Sequence, residues 1–174
     1  MTEPPSPNPT GGTLRAIGPQ FRRWRDVQQV GARLKVSSDR IGTHSPIQLT
    51  VVVEEVNAHA WFASCSLSGA ASGPKASVGC SVFIRQGSAY PVEYNTPGFL
   101  VDYDAWNTLR IQADPTTGTL RFYLNNTLMG THTPADAAQL VATDGLQVLI
   151  TAWGIAPNSA ATRYVDDVRI MAAQ

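Results

Sequence analysis

Trp106–Asn126, WNTLRIQADPTTGTLRFYLNN, is the stretch whose reading decides the fold. Its apolar residues alternate with polar ones. Leu109 and Ile111 share one face, and Arg110 and Gln112 share the other. Leu120, Phe122 and Leu124 then alternate with Arg121, Tyr123 and Asn125. A period of two is the mark of a strand with one buried side. Between the two runs, DPTTG (114–118) predicts a turn, because Asp and Pro initiate one and Gly118 accepts a positive φ. Asn125 and Asn126 turn the chain again, since Asn tolerates the left-handed region. The expected motif is hairpin, turn, hairpin.

Outward from this stretch the same grammar repeats. Short runs of Val, Ile, Thr and aromatics are separated by Gly, Pro, Asn and Asp. The expected strands are Val27–Ser37, Ile47–Val56, Ala60–Leu67, Ala76–Arg85, Tyr90–Tyr94, Leu146–Trp153 and Thr162–Met171, with the two of the hairpin. Roughly nine or more strands at this spacing predict an all-β sandwich or barrel. Pro134–Val141 is the only helical candidate, a short connector with Pro in its first turn. Residues 1–12 hold four prolines in the first nine positions and are expected to form an extended, disordered spacer. That leaves 13–174 as one domain, tethered by the spacer to something larger.

Composition bounds the function. Of 174 residues, 43% are hydrophobic and only 15% charged, so the chain is globular. No apolar run approaches the ~20 residues of a membrane helix. No charged region followed by an apolar one opens the chain, so a secretory leader is not read there. The net charge is zero, which argues against a nucleic-acid or anionic-membrane partner and suits a neutral ligand such as a glycan.

The two cysteines are placed by arithmetic. A hairpin turning between Ser72 and Gly73 sets Cys65 opposite Cys80. Alternation groups Cys65 with Trp61, Ala63 and Leu67, and Cys80 with Val78, Val82 and Ile84, so both thiols point into the core. Two readings stay open: a disulfide, implying an oxidising compartment, or two reduced cysteines packed as small apolar residues.

The hairpin, followed some forty residues later by Tyr-Val-Asp-Asp-Val-Arg-Ile (164–170), resembles the concanavalin A-like lectin/glucanase superfamily, and within it the laminin G-like and related carbohydrate-binding modules. The resemblance spans roughly Val27 to Ile170. It implies a jelly-roll sandwich of two curved antiparallel sheets, extracellular or at a cell surface, with glycans bound on a concave sheet or at loop edges. The retaining glucanases of this superfamily carry E-x-D-x-x-E, two glutamates on one strand face, ~5.5 Å apart. That motif is absent here. Glu54 and Glu55 are adjacent and point to opposite faces. Asp102 and Asp104 share a face if extended, but precede a strand. No G-x-S-x-G elbow, P-loop or H-E-x-x-H is present. His44, His59 and His132 fall in expected loops or edges, where a solvated histidine is the default. The expectation is a non-catalytic module. An unusual glycan-active enzyme and a structural or self-associating domain are its rivals.

A sugar site needs an aromatic platform with fixed polar groups around it. The candidate ligand-binding residues are Arg110, Gln112, Arg121, Tyr123, Gln147, Thr151 and Trp153. Trp153 alternates with Leu149 and Thr151, out of phase with Val148 and Ile150. It is exposed to a ligand if those two face the core, and packed under a loop if Leu149 is also buried. Trp61 is expected in the core, Trp106 as an anchor at the sandwich edge, and Trp24 beside the solvated cluster Arg22, Arg23 and Arg25. Asp166 and Asp167 hold the family's "DDV" position. The resemblance implies calcium there, and oxygen ligands suit it. Asp166 shares a face with Tyr164, Val168 and Ile170, which predicts a partly buried carboxylate partnered by calcium, an arginine or backbone N–H groups. Asn125-Asn126-Thr127 is an N-glycosylation sequon.

Overall fold

A computed structural model describes residues 11–16, 23–38, 46–54, 59–69, 73–153 and 163–172. In chain order the elements are β1 (Gly11–Ala16), a 3-10 turn (Trp24–Asp26), β2 (Val27–Val36), β3 (Ile47–Glu54), β4 (His59–Ser68), β5 (Lys75–Gln86), β6 (Val92–Asn95) and β7 (Phe99–Asp102). There follow β8 (Asn107–Ala113), β9 (Leu120–Leu124), β10 (Thr127–His132), the short helix α1 (Ala137–Ala142), β11 (Leu146–Trp153) and β12 (Arg163–Ala172). They form two sheets. One has seven strands in the order β1-β11-β3-β4-β5-β6, with β7 also paired to β5. The other has five, β10-β9-β8-β2-β12. The described pairings are all antiparallel.

The alternation along each strand explains the layering. In β5, Ala76, Val78, Cys80, Val82 and Ile84 are buried, and the residues between them are not. In β8 and β9, Leu109, Ile111, Leu120, Phe122 and Leu124 are buried while Arg110, Gln112, Arg121 and Tyr123 are half-exposed. The two apolar faces meet in one core that also takes Leu34, Leu49, Leu67 and Trp61. Apolar burial of this kind is the main favourable term in folding.

The hairpin closes as its residues dictate. Leu109 pairs with Leu124 and Ile111 with Phe122. Asp114 Oδ1 accepts hydrogen bonds from the N–H groups of Thr116 and Thr117, 2.9 and 3.0 Å away. Gly118 takes φ 70, and a Cβ there would lie 2.9 Å from that of Ala137, so the turn seats α1 through a glycine. Asn125 and Asn126, at φ 47 and 70, make the second turn and open β10. A pair of positive φ values matches the right-handed twist of the flanking strands.

The N–H groups of Thr117, and then of Thr116, hold the Asp114 carboxyl below the usual carboxylate range. A depressed folded pKa adds stability above the unfolded value of about 4, and that stability is lost as pH falls through the lower folded value. Asp114→Asn keeps the acceptor but not the charge. Its stability deficit in urea melts is expected to shrink as the pH drops below about 4. A deficit that stays constant with pH would show that the charge contributes nothing.

Cys65 and Cys80 are direct partners in β4 and β5, with Cα atoms 4.0 Å apart and a disulfide between their sulfurs. Both backbone groups of Cys80 turn away from β4: its N–H donates to Thr96 Oγ1 and its C=O accepts from Thr96 N–H. The cysteines therefore form a non-hydrogen-bonded pair, the class in which opposite Cα atoms approach most closely.

Three expectations need correction. The short strand expected at Tyr90–Tyr94 is β6, displaced to Val92–Asn95, and β7 follows as an additional strand on the same edge of β5. Pro91 supplies no N–H, and Pro97 interrupts the second ladder. Trp24 is not at a solvated edge but 2% exposed, inside the core. The 3-10 turn buries the indole and sends Arg23 outward to pair with Asp144. β1 is an additional strand, built by pairing with β11 and not by its own Gly-Gly-rich sequence.

Candidate functional site

Because the two apolar faces meet in the middle, the molecule presents two outer faces on opposite sides. The candidate residues divide between them. Arg110, Gln112, Arg121 and Tyr123 lie on the outer face of the five-stranded sheet. Gln147 and Thr151 lie on the outer face of the seven-stranded sheet, since Val148 and Ile150 are buried. One small ligand does not reach both groups. Trp153 closes β11 opposite Gly11, and its side chain lies outside the described residues.

On the seven-stranded sheet the side chains converge on a groove of about 540 Å³ lined by Gln48, Thr50, Phe62, Ser64, Phe83 and Tyr90. Register builds it. Phe62 of β4 is paired directly with Phe83 of β5, and both are half-exposed. Tyr90 packs on Phe62 with ring centroids 5.9 Å apart at 58°. Beside this apolar wall, Thr50 of β3 and Ser64 of β4 are also direct partners, and their hydroxyls hydrogen-bond at 2.9 Å. Gln48 adds an amide along β3, and Thr151 of β11 is its neighbour across the ladder. The result is a hydrophobic ring surface flanked by fixed hydroxyl and amide groups. Such a surface suits a neutral, hydroxylated, ring-shaped ligand.

The five-stranded sheet has a different chemistry. Arg110 Nη1 donates to Gln29 Oε1 at 3.2 Å, and its guanidinium lies 4.7 Å from the centre of the Tyr123 ring. Gln112 donates to the same Gln29 oxygen at 3.0 Å. Lys35 sits 4.1 Å from the Tyr164 ring centre and 5.2 Å from that of Trp106. Trp106, 37% exposed, is a platform for cations, with the Arg33 guanidinium 5.1 Å from its ring centre.

The acidic candidates are engaged. Asp166 is exposed, not partly buried. A bulge between Asp166 and Arg169, with Asp167 at φ 50, breaks the alternation, and Asp166 pairs with Arg33 at 3.3 Å. Asp167 pairs with Arg169 at 2.6 Å. Two carboxylates each held by a guanidinium are a poor donor set for calcium, which needs six or more oxygens. Among the described residues no three His, Cys, Asp or Glu side chains gather as a metal site. Asp102 pairs with Lys75, and Asp104 accepts from the Ser38 N–H at 3.2 Å. The first is a cross-strand pair between β7 and β5, and the second ties the turn before β8 to the chain just past β2. His132 is not a solvated histidine: it stacks on Tyr94 with centroids 4.9 Å apart and faces Glu93 at 3.2 Å.

Comparison with known proteins places this architecture. No protein-family model matches the chain, and no curated protein matches it in sequence. Solved structures do match. The carbohydrate recognition domain of Emp46p aligns at TM-score 0.65 and 10% identity, over 94% of this chain and 78% of its own. An alginate lyase from Pseudomonas aeruginosa aligns at TM-score 0.63 and 13% identity, over 88% and 68%. A carbohydrate-binding module from Bacillus subtilis aligns at TM-score 0.50 and 14% identity, over 82% and 73%. The chain has the fold of these structures, a jelly roll of two antiparallel sheets. Among structures of this fold stand binding modules, lectin domains and glycan-active enzymes, so the frame fixes architecture and leaves activity to the side chains.

The groove residues Phe62, Phe83, Tyr90, Gln48, Thr50 and Ser64 are not among the sequence candidates. The cysteine register holds the signal for the phenylalanines. If 65 faces 80, then 62 faces 83, and inward cysteines put both rings outward.

Proposed function

We propose that this domain is a non-catalytic module of a larger extracellular protein and binds a neutral glycan reversibly on the outer face of its seven-stranded sheet. The observation that carries the reading is the Phe62–Phe83–Tyr90 wall beside the Thr50–Ser64 hydroxyl pair. The wall offers its faces to the C–H side of a sugar ring, and the hydroxyls and Gln48 reach the ring's oxygens. No carboxylate is among the described residues lining the groove, whereas glycoside hydrolysis uses a pair of them. The disulfide supports an oxidising compartment.

A glycan array identifies the ligand, and Phe62→Ala is then expected to weaken its binding tenfold or more, equivalent to about 1.4 kcal/mol. Because Phe62 is on the outer face, its loss is expected to change stability little. Unchanged binding in the variant would refute the site.

A second reading has one specific observation. Val92 and Leu100, 50% and 74% exposed, lie opposite Phe83 and Ser77 and extend the apolar wall towards the β6 and β7 edge. That extension suits a protein surface. Concentration-dependent association without any glycan binding would favour it.

A further inference from the structure

We propose that the outer face of the five-stranded sheet is a second binding site, independent of the first, and that it takes the carboxylate of an acidic, uronate-type polysaccharide. The face carries Arg33 and Lys35 on β2, Arg110 on β8, Arg121 on β9 and Arg169 on β12, against the carboxylates of Asp166 and Asp167. The chain as a whole is neutral, so this cation excess is a local asymmetry. Among the described residues, no carboxylate forms an ion pair with Arg110, Arg121 or Lys35.

The centre of the face is a pocket of about 300 Å³. Arg169, Gly31 and Arg110 are consecutive partners across β12, β2 and β8. Gly31 removes the side chain between two arginines that stand two strand spacings apart, about 10 Å. A Cβ at that position would lie 3.2 Å from Arg110 Cγ, so the arginine leans over the glycine. Its guanidinium is held by Gln29 and by stacking on Tyr123, while its Nε is buried with no hydrogen-bond partner. A guanidinium held in place by two partners is pre-organised for a carboxylate, which accepts N–H groups in the guanidinium plane. Thr108 and Asn126 line the same pocket and supply partners for sugar hydroxyls; Asp167 lines it too, its carboxylate paired with Arg169 at 2.6 Å, which leaves Arg110, among the described residues, as the cation without a carboxylate partner there.

The same features disfavour nucleic acid. Tyr123 lies against Arg110, so it does not serve as a base-stacking platform.

The experiment titrates the intact protein at low salt with galacturonate oligosaccharides, with their methyl esters and with a DNA oligonucleotide. The acid form is expected to bind, and to weaken as salt is added. Methyl esterification and Arg110→Ala are each expected to weaken binding tenfold or more, and Phe62→Ala to leave it unchanged. Arg169→Gln, at an exposed position, is expected to weaken it severalfold and reads the pocket without disturbing packing. No binding of the acid, equal binding of the ester or of DNA, unchanged binding in both arginine variants, or loss in Phe62→Ala would each overturn the proposal. Loss in Phe62→Ala would place the acid in the aromatic groove instead. Failure of the neutral-glycan reading leaves this result untouched, since the two sites lie on opposite sides of the core.

Discussion

Phe122→Ala is expected to lower the unfolding free energy by about 3–5 kcal/mol. Phe122 is fully buried in β9, paired with Ile111 on one side and Gly130 on the other. The Tyr94 ring, reaching over from β6 of the opposite sheet, lies 6.1 Å from it. Removing the benzyl group leaves a cavity between sheets whose backbones are fixed by ladders, so the walls do not collapse onto it. A domain of this size is stable by only about 5–15 kcal/mol. With a urea slope of ~2 kcal/mol/M, the midpoint falls by about 2 M. Tyr123→Ala is the control. Tyr123 is the next residue along the strand but lies on the outer face, where the cost is expected to stay near 1 kcal/mol. Equal losses in the two variants would contradict the assignment of faces.

Cys65→Ala/Cys80→Ala is expected to cost about 3 kcal/mol, the chain-entropy value for a loop of this length. The two cysteines are 15 residues apart in sequence and join β4 to β5. Denatured, unreduced protein from an oxidising source is expected to show no free thiols, and two after reduction. Two thiols before reduction would establish the alternative, cysteines packed as small apolar residues. The double variant would then cost only the two lost sulfurs, and its melting curve would no longer respond to reductant.

Much of the fold is legible in the sequence because period-two patterning fixes phase within a strand. The Trp106–Asn126 hairpin, the register of Cys65 against Cys80 and the bounds of β11 all follow from it. Phase does not reveal which sheet a strand joins. For that reason Arg110, Gln112, Arg121 and Tyr123 read as companions of Gln147 and Thr151, although the core separates them. Residue type obscures Phe62 and Phe83: a phenylalanine in an apolar strand reads as core until the neighbouring register is applied. Asp166 is misplaced by a bulge, which inserts a residue and reverses the alternation on which the reading depends. Trp24 is hidden for the opposite reason. Its arginine neighbours suggest solvent, yet a single 3-10 turn separates them from the indole. β1 leaves little local trace because its order comes from β11.

The bulge in β12 has a counterpart. β12 and β10 are the two outermost strands of the five-stranded sheet, and both depart from regular register: β12 between Asp166 and Arg169, β10 between Leu128 and Gly130. The pairings of β2 with β8 and of β8 with β9, inside the sheet, are uninterrupted. An open edge with a straight row of unpaired N–H and C=O groups is a template for another chain, and so for aggregation. Irregular edges on both sides deny that template. The sheet can therefore display a broad outer surface in a crowded medium without growing into fibrils.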